Sequence, residues 1–220
     1  DVYYSGYKYQ DGISTFHTHS TVEGEGHTIE SKLGVPGEFN VENGLAAGIA
    51  AYQAGVPGSV INHVAEKFSG IWRRFEKIGT FNGALIYSDH GHHPTAIEET
   101  MKMVRQLYPE KRVVLVFQPH QHNRTKQLWV DFVEVLSVMP VDVLVLSEIY
   151  DVEGRKEKKD ADISSVALLD EVRKTDRFET HYTATLDETE EWLEENVQED
   201  DVVVIMGAGD IDVVARNLVK

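Results

Sequence analysis

The chain has 220 residues, 41% of them hydrophobic and 26% charged, a composition able to bury a packed core. Its 37 Asp and Glu against 21 Lys and Arg leave a formal net charge of −16, which argues against nucleic acid or an anionic membrane as main partner, since both demand a basic face. The absence of cysteine excludes disulfides and thiolate metal sites, and no apolar run approaches the roughly 18 residues of a membrane span.

Residues 1–39 are polar, Gly-rich and β-branched, and stretches such as GISTFHTHST and GHTIESKLGV suit strands of an antiparallel sheet. Asn40 is placed to cap a helix through VENGLAAGIAAYQA, which Gly55 and Pro57 stop. Ser59 opens a second helix, with Val60, Ile61, Val64 and Phe68 on one face. From about Thr80 the rhythm becomes strand–helix–strand. GALIYSD, RVVLVF, VDVLVL and DVVVIM are short, almost continuous apolar runs, as buried parallel strands require.

Amphipathic helices lie between these runs. One has Pro94 in its first turn and Ile97, Met101, Val104 and Tyr108 along one side; a second carries Leu128, Phe132, Val135 and Leu136. Others fall near 163–173, 187–197 and 211–219. Alternation of this kind predicts an α/β domain with a doubly wound, mostly parallel, Rossmann-like sheet over 80–220, preceded by a different domain over 1–79. The acidic run from Glu188 to Asp201 reads as a solvated face.

The ligand of such a sheet sits outside the carboxyl ends of the strands, where SDHGHHP and FQPHQHNR fall. Three histidines within four residues, together with His17 and His19 in FHTHST, raise a metal-dependent hydrolase as one reading. Against it, His17 and His19 lie outside the strand–helix units, and carboxylates at a telling spacing are lacking apart from Glu23 and Glu25. A non-catalytic binding module is a further alternative.

Five motifs follow one another in fixed order: GEFNVENGLAA (37–47), FSGIWRRFE (68–76), SDHGHHPTAI (88–97), VFQPHQHNRT (116–125) and VIMGAGDI (204–211). Each is weak alone. As a series, from Val35 to Asp212, they resemble the Mur ligase family, its L-alanine-adding members most of all. The resemblance implies an ATP- and Mg-dependent ligase of peptidoglycan synthesis. Such an enzyme joins an amino acid, here L-alanine, to UDP-N-acetylmuramate through an acyl phosphate.

By position, the resemblance puts Asn40 and Asn43 beside the adenine, Arg74 on the ATP phosphates and Asp89 on the nucleotide, at the ribose hydroxyls. It puts His90, His92, His120 and Arg124 around the incoming amino acid, Arg124 as the partner of its carboxylate, with Arg74 and His92 in catalytic roles. His93, before Pro94, is expected to be a structural helix cap, and the GAGDI glycines a tight turn. Residue chemistry alone leaves Asn40 as a helix cap, Arg73 and Arg74 as a solvated pair, and Asp89 as a helix cap also open.

The family's G-x-x-G-K-[ST] loop is absent, as is its UDP-binding N-terminal domain, and the magnesium ligands would lie upstream. No metal ligand is therefore assigned here. The expectation is a fragment: the end of a P-loop-type central ATPase domain plus the C-terminal domain, unable to ligate alone and partnered by the upstream domains. His90 stands where the alanine-adding members commonly have tyrosine, and Gln121 where they commonly have arginine, which leaves the amino acid accepted open.

Overall fold

The computed structural model describes residues 2–22, 25–152 and 163–220. The chain divides into two compact units, one ending at Gly70 and the other beginning at Ile71.

In the first unit β1 (Val2–Gln10), β2 (Ile13–Val22) and β3 (Glu25–Leu33) form an antiparallel meander in that spatial order. Asp11 and Gly12 make a two-residue turn with φ of 53° and 85°, the left-handed pair that Asp-Gly supplies at little cost and that suits the twist of a hairpin. Alternation along β2 turns Phe16 inward, where it packs with Leu33 and Val41, and His17 outward.

Two helices follow, α1 (Glu38–Gln53) and α2 (Gly58–Lys67). The expected cap at Asn40 is not what the structure shows. Gly37, at φ 97°, is the N-cap of α1; Asn40 lies in the first turn, and its Nδ2 donates to the Pro36 carbonyl at 2.7 Å. Nor is the expected stripe of α2 buried: Val60, Val64 and Phe68 are exposed. The helix instead turns Ala65 to the core of this unit, and Gly34 N donates to the Ala65 carbonyl at 3.0 Å.

The second unit is a six-stranded sheet in the order β4-β5-β9-β6-β7-β8. Its strands are β4 (Glu76–Phe81), β5 (Ala84–Asp89), β6 (Val113–Phe117), β7 (Val143–Ser147), β8 (Glu179–Thr183) and β9 (Val202–Met206). All neighbours run parallel except β4, which is antiparallel to β5. The boundary expected at 79/80 thus falls inside β4, a strand of this sheet; the observed division comes earlier.

The interleaved helices are α3 (Pro94–Leu107), α4 (His122–Gln127), α5 (Trp129–Val138), α6 (Ser165–Arg173), α7 (Leu186–Asn196) and α8 (Asp212–Leu218). Every residue of β6, β7 and β9 is buried, which is why these strands read as unbroken apolar runs. On α3, Ile97, Met101 and Val104 are fully buried, as are Phe132 and Leu136 on α5. The acidic run is solvated apart from Asp201, which is 2% exposed and ion-pairs with Arg112 at 2.8 Å.

The strand order is what builds a site. The chain steps from β5 over to β6, and β9 returns last to lie between them. The segments following β5, β6 and β9 therefore leave the same edge of three adjacent parallel strands. Among the described residues no helix is long and apolar enough to cross a membrane.

Candidate active site

The segment after β5 is built around Asp89. This carboxylate is 7% exposed; its Oδ1 accepts from Gly91 N at 2.6 Å and its Oδ2 from Phe75 N at 2.8 Å. Burial pushes its pKa up, against the two N–H groups and the nearby Arg74 and Arg73. Asp89 was expected at a nucleotide; in the structure each of its oxygens accepts from a main-chain donor. It pins the 73–75 turn, in which Arg73 and Phe75 have φ of 53° and 47°.

The two adjacent arginines part company on that turn. Arg74 is exposed. Arg73 is 7% exposed, and its Nη2 donates to the carbonyls of Gly207 and, at 3.1 Å, Gly209. Its Nε lies 3.9 Å from Asp212 Oδ1 and has no hydrogen-bond partner. Arg73 thus braces the GAGD turn after β9. Gly209 is needed there, because a Cβ would fall 2.5 Å from both Gln118 Oε1 and Tyr150 Cγ. The expectation of a tight structural turn at GAGDI agrees with this geometry.

Three histidines and a tyrosine form a row beyond these turns. The rings of His90 and His92 lie edge to face at 5.4 Å, those of His92 and His120 are 5.6 Å apart, and His120 stacks on Tyr150 at 5.6 Å. Arg124, on α4, closes the row: its Nη1 meets His120 Nδ1 at 3.2 Å. A guanidinium only donates, so His120 Nδ1 accepts and the neutral ring carries its hydrogen on Nε2. His92 Nδ1 faces the His90 carbonyl at 2.9 Å; a carbonyl only accepts, so Nδ1–H donates and Nε2 keeps its lone pair.

Burial lowers the pKa of all three rings, helped by Arg73, His92 and Arg74 at His90, by Arg124, Arg74 and His93 at His92, and by Arg124 and the other two imidazoles at His120. These rings are neutral in neutral solution, beside the fixed charges of Arg74 and Arg124. His93 occupies the N-cap position of α3 ahead of Pro94, but its side chain makes no capping bond.

The structure therefore brings together His90, His92, His120 and Arg124 in the second unit, with Arg74 on the turn whose Arg73 carbonyl accepts from His90 N at 2.7 Å. Asn40 and Asn43 belong to the first unit, where Asn43 Nδ2 reaches Asn40 Oδ1 at 3.5 Å. Sequence reasoning passed over Tyr150 and Asp151, gave His122 no role of its own, and left Arg73 as half of a solvated pair. Tyr150 and Asp151 lie beyond β7 in no motif.

Among the described residues no group of three or more His, Asp or Glu is placed to hold a metal ion. His19 is held by hydroxyls at both nitrogens, Ser5 at 2.8 Å and Thr28 at 2.9 Å, and stacks on Tyr3.

Comparison with known proteins gives this geometry its context. The family model for the Mur ligase, glutamate ligase domain matches residues 73–209, more than half of the chain. The chain belongs to the Mur ligase family. The UDP-N-acetylmuramate–L-alanine ligase of Nitrosomonas europaea is 37% identical over 210 residues, covering 93% of this chain and 43% of that protein. The same-named ligase of Xylella fastidiosa strain M12 is 38% identical over 215 residues, 96% of this chain and 44% of that one.

This Mur ligase chain thus spans less than half the length of the curated relatives it matches. Among solved structures, the UDP-N-acetylmuramate–alanine ligase of Thermotoga maritima superposes with a TM-score of 0.75 at 23% identity, covering 99% of this chain and 45% of that one. A murein peptide ligase from Psychrobacter arcticus gives 0.66 at 20% identity, covering 99% and 43%. Both share the α/β fold. Membership of the Mur ligase family gives the hydrolase reading no support, and it is set aside.

Proposed function

We propose that this chain is the amino-acid-accepting part of an ATP-dependent ligase of peptidoglycan synthesis, acting in the cytoplasm. It joins an amino acid, L-alanine first among candidates, to the carboxylate of UDP-N-acetylmuramate. One observation carries the proposal: His92, His120 and Arg124 converge at the carboxyl ends of β5 and β6 in a Mur ligase domain.

In the reaction a substrate carboxylate oxygen attacks the γ-phosphorus of ATP, and ADP leaves. The amino-acid nitrogen then attacks the acyl carbon, phosphate leaves, and the nitrogen gives up its proton. Arg124 is the partner of the amino acid's own carboxylate, for which a planar guanidinium offers paired donors. The substrate ammonium must lose a proton before it can attack. His92 Nε2, with its lone pair kept available by the Nδ1–H bond to the His90 carbonyl, is the acceptor. His90 and His120 line the site as neutral rings.

The residues present fit the phosphates of ATP in part. Arg74 presents an exposed guanidinium, set by the turn that Asp89 pins. In the first unit Asn43 is an exposed carboxamide, whereas the Nδ2 of Asn40 is already committed to Pro36. For magnesium, the described residues offer no group of three or more His, Asp or Glu placed to hold it.

The test is phosphate release by the full-length parent protein with ATP, UDP-N-acetylmuramate and single amino acids in turn. Release that requires both the UDP-sugar and one amino acid is expected. No release above background with any amino acid defeats the proposal. Because His90 and Gln121 depart from the family pattern, the panel must extend beyond L-alanine.

A further inference from the structure

The turn that leads from β6 into α4 is strained and tied down. Gln121 has φ 72°, a left-handed conformation that a residue with a side chain adopts only when its surroundings enforce it. Gln121 N donates to the Tyr150 carbonyl at 2.7 Å, and Tyr150 N donates to the Pro119 carbonyl at 2.9 Å. The next residue is held from the side. Asp151 Oδ1 accepts from His122 N at 3.2 Å, and the two Asp151 oxygens stand 3.0 and 2.9 Å from His122 Nδ1. A carboxylate only accepts, so Nδ1 carries the hydrogen.

The His122 side chain is 12% exposed, so this contact is sheltered. The same short helix carries Arg124, which donates to His120, and His120 rests on Tyr150, the residue before Asp151. Both substrate-facing groups therefore depend on the pairing of residues 119–122 with 150–151.

We propose that Asp151 is a positioning residue of the amino-acid site: with His122 it latches the left-handed turn at Gln121, and so sets the reach of Arg124 and the orientation of His120. The inference rests on the reading of Arg124 as the partner of the substrate carboxylate. It makes the geometry of the latch the essential property. Asparagine keeps an oxygen for the His122 donors and supports the turn; alanine offers nothing and releases it.

In the full-length parent, Asp151→Ala raises KM for the amino acid by about tenfold or more, while kcat and KM for ATP stay within about twofold. Asp151→Asn returns the amino-acid KM to within about threefold of the wild type. An unchanged amino-acid KM in Asp151→Ala overturns the proposal, as does an equal loss in kcat and every KM. A readout independent of turnover is 15N NMR of the 220-residue chain. Wild type shows His122 with its hydrogen on Nδ1, and Asp151→Ala shifts the His120 ring and Arg124 Nε resonances. If they do not move, the latch is wrong. An inactive wild-type parent strikes the ligase reading alone and leaves these resonances to decide the latch.

Discussion

Replacing Arg73 with methionine probes the brace under the candidate site. Arg73 is buried, and its Nη2 makes two charge-assisted bonds, to the carbonyls of Gly207 and Gly209. Bonds of this kind contribute about 1.5–3 kcal/mol each, so their loss costs about 3–6 kcal/mol. Two effects oppose that cost. Among the described residues the buried Nε has no hydrogen-bond partner, only Asp212 at 3.9 Å, and removing it recovers about 1–3 kcal/mol of desolvation. Asp212 is not stranded, because it keeps Arg216 at 2.8 Å and Ser88 at 2.5 Å.

The balance is a loss of about 3 kcal/mol, which at a urea slope of about 2 kcal/mol/M lowers the midpoint by about 1.5 M. All three tryptophans, Trp72, Trp129 and Trp192, lie in the second unit, so intrinsic fluorescence follows that unit's unfolding. Arg73→Lys is expected in between, since an ammonium lacks the planar fork. A methionine variant as stable as wild type, an outcome known when buried charges are replaced by apolar residues, would refute the assignment of Arg73 as the brace of the GAGD turn.

Gly209→Ala places a Cβ against Gln118 and Tyr150, and urea titration is expected to show a loss of about 1–3 kcal/mol from overpacking. Stability should also depend on pH. His90, His92 and His120 have folded pKa values below 6.5, so around and below that pH the unfolded chain binds more protons. Stability is therefore full above about pH 6.5 and falls as pH drops through the lowered folded values. Replacing the three with glutamine should flatten that limb of a melting-temperature profile; an unchanged slope would place the proton uptake elsewhere. Glu148 adds a second loss at lower pH, since bonds from Tyr182, Ile149 and Ser165 hold its pKa below 4.5 despite its burial.

Much of the second unit was legible because buried parallel strands leave unbroken apolar runs, as β6, β7 and β9 do. The edges were not. β4, EKIGTF, and β8, ETHYT, lie at the rims of the sheet, where one side has no neighbour and polar residues are tolerated. Missing β4 also put the domain boundary too late.

At the site, motif position found the residues that converge, but it could not separate neighbours of one type. Arg73 and Arg74 read alike, yet one is a buried brace and the other faces solvent. Asp89 was legible as important, but its hold on the 73–75 turn was not, because its two partners there are main-chain N–H groups that leave no mark in a sequence. Tyr150 and Asp151 come from the far side of β7, and only the pairing of their segment with 119–122 brings them in.

The account stands most directly on Arg124. In the full-length parent, Arg124→Met should raise KM for the accepted amino acid by about a hundredfold, the loss of about 3 kcal/mol of charge-assisted binding, with KM for ATP and UDP-N-acetylmuramate little changed. An amino-acid KM equal to that of the wild type would show that the row from His90 to Arg124 does not hold the substrate.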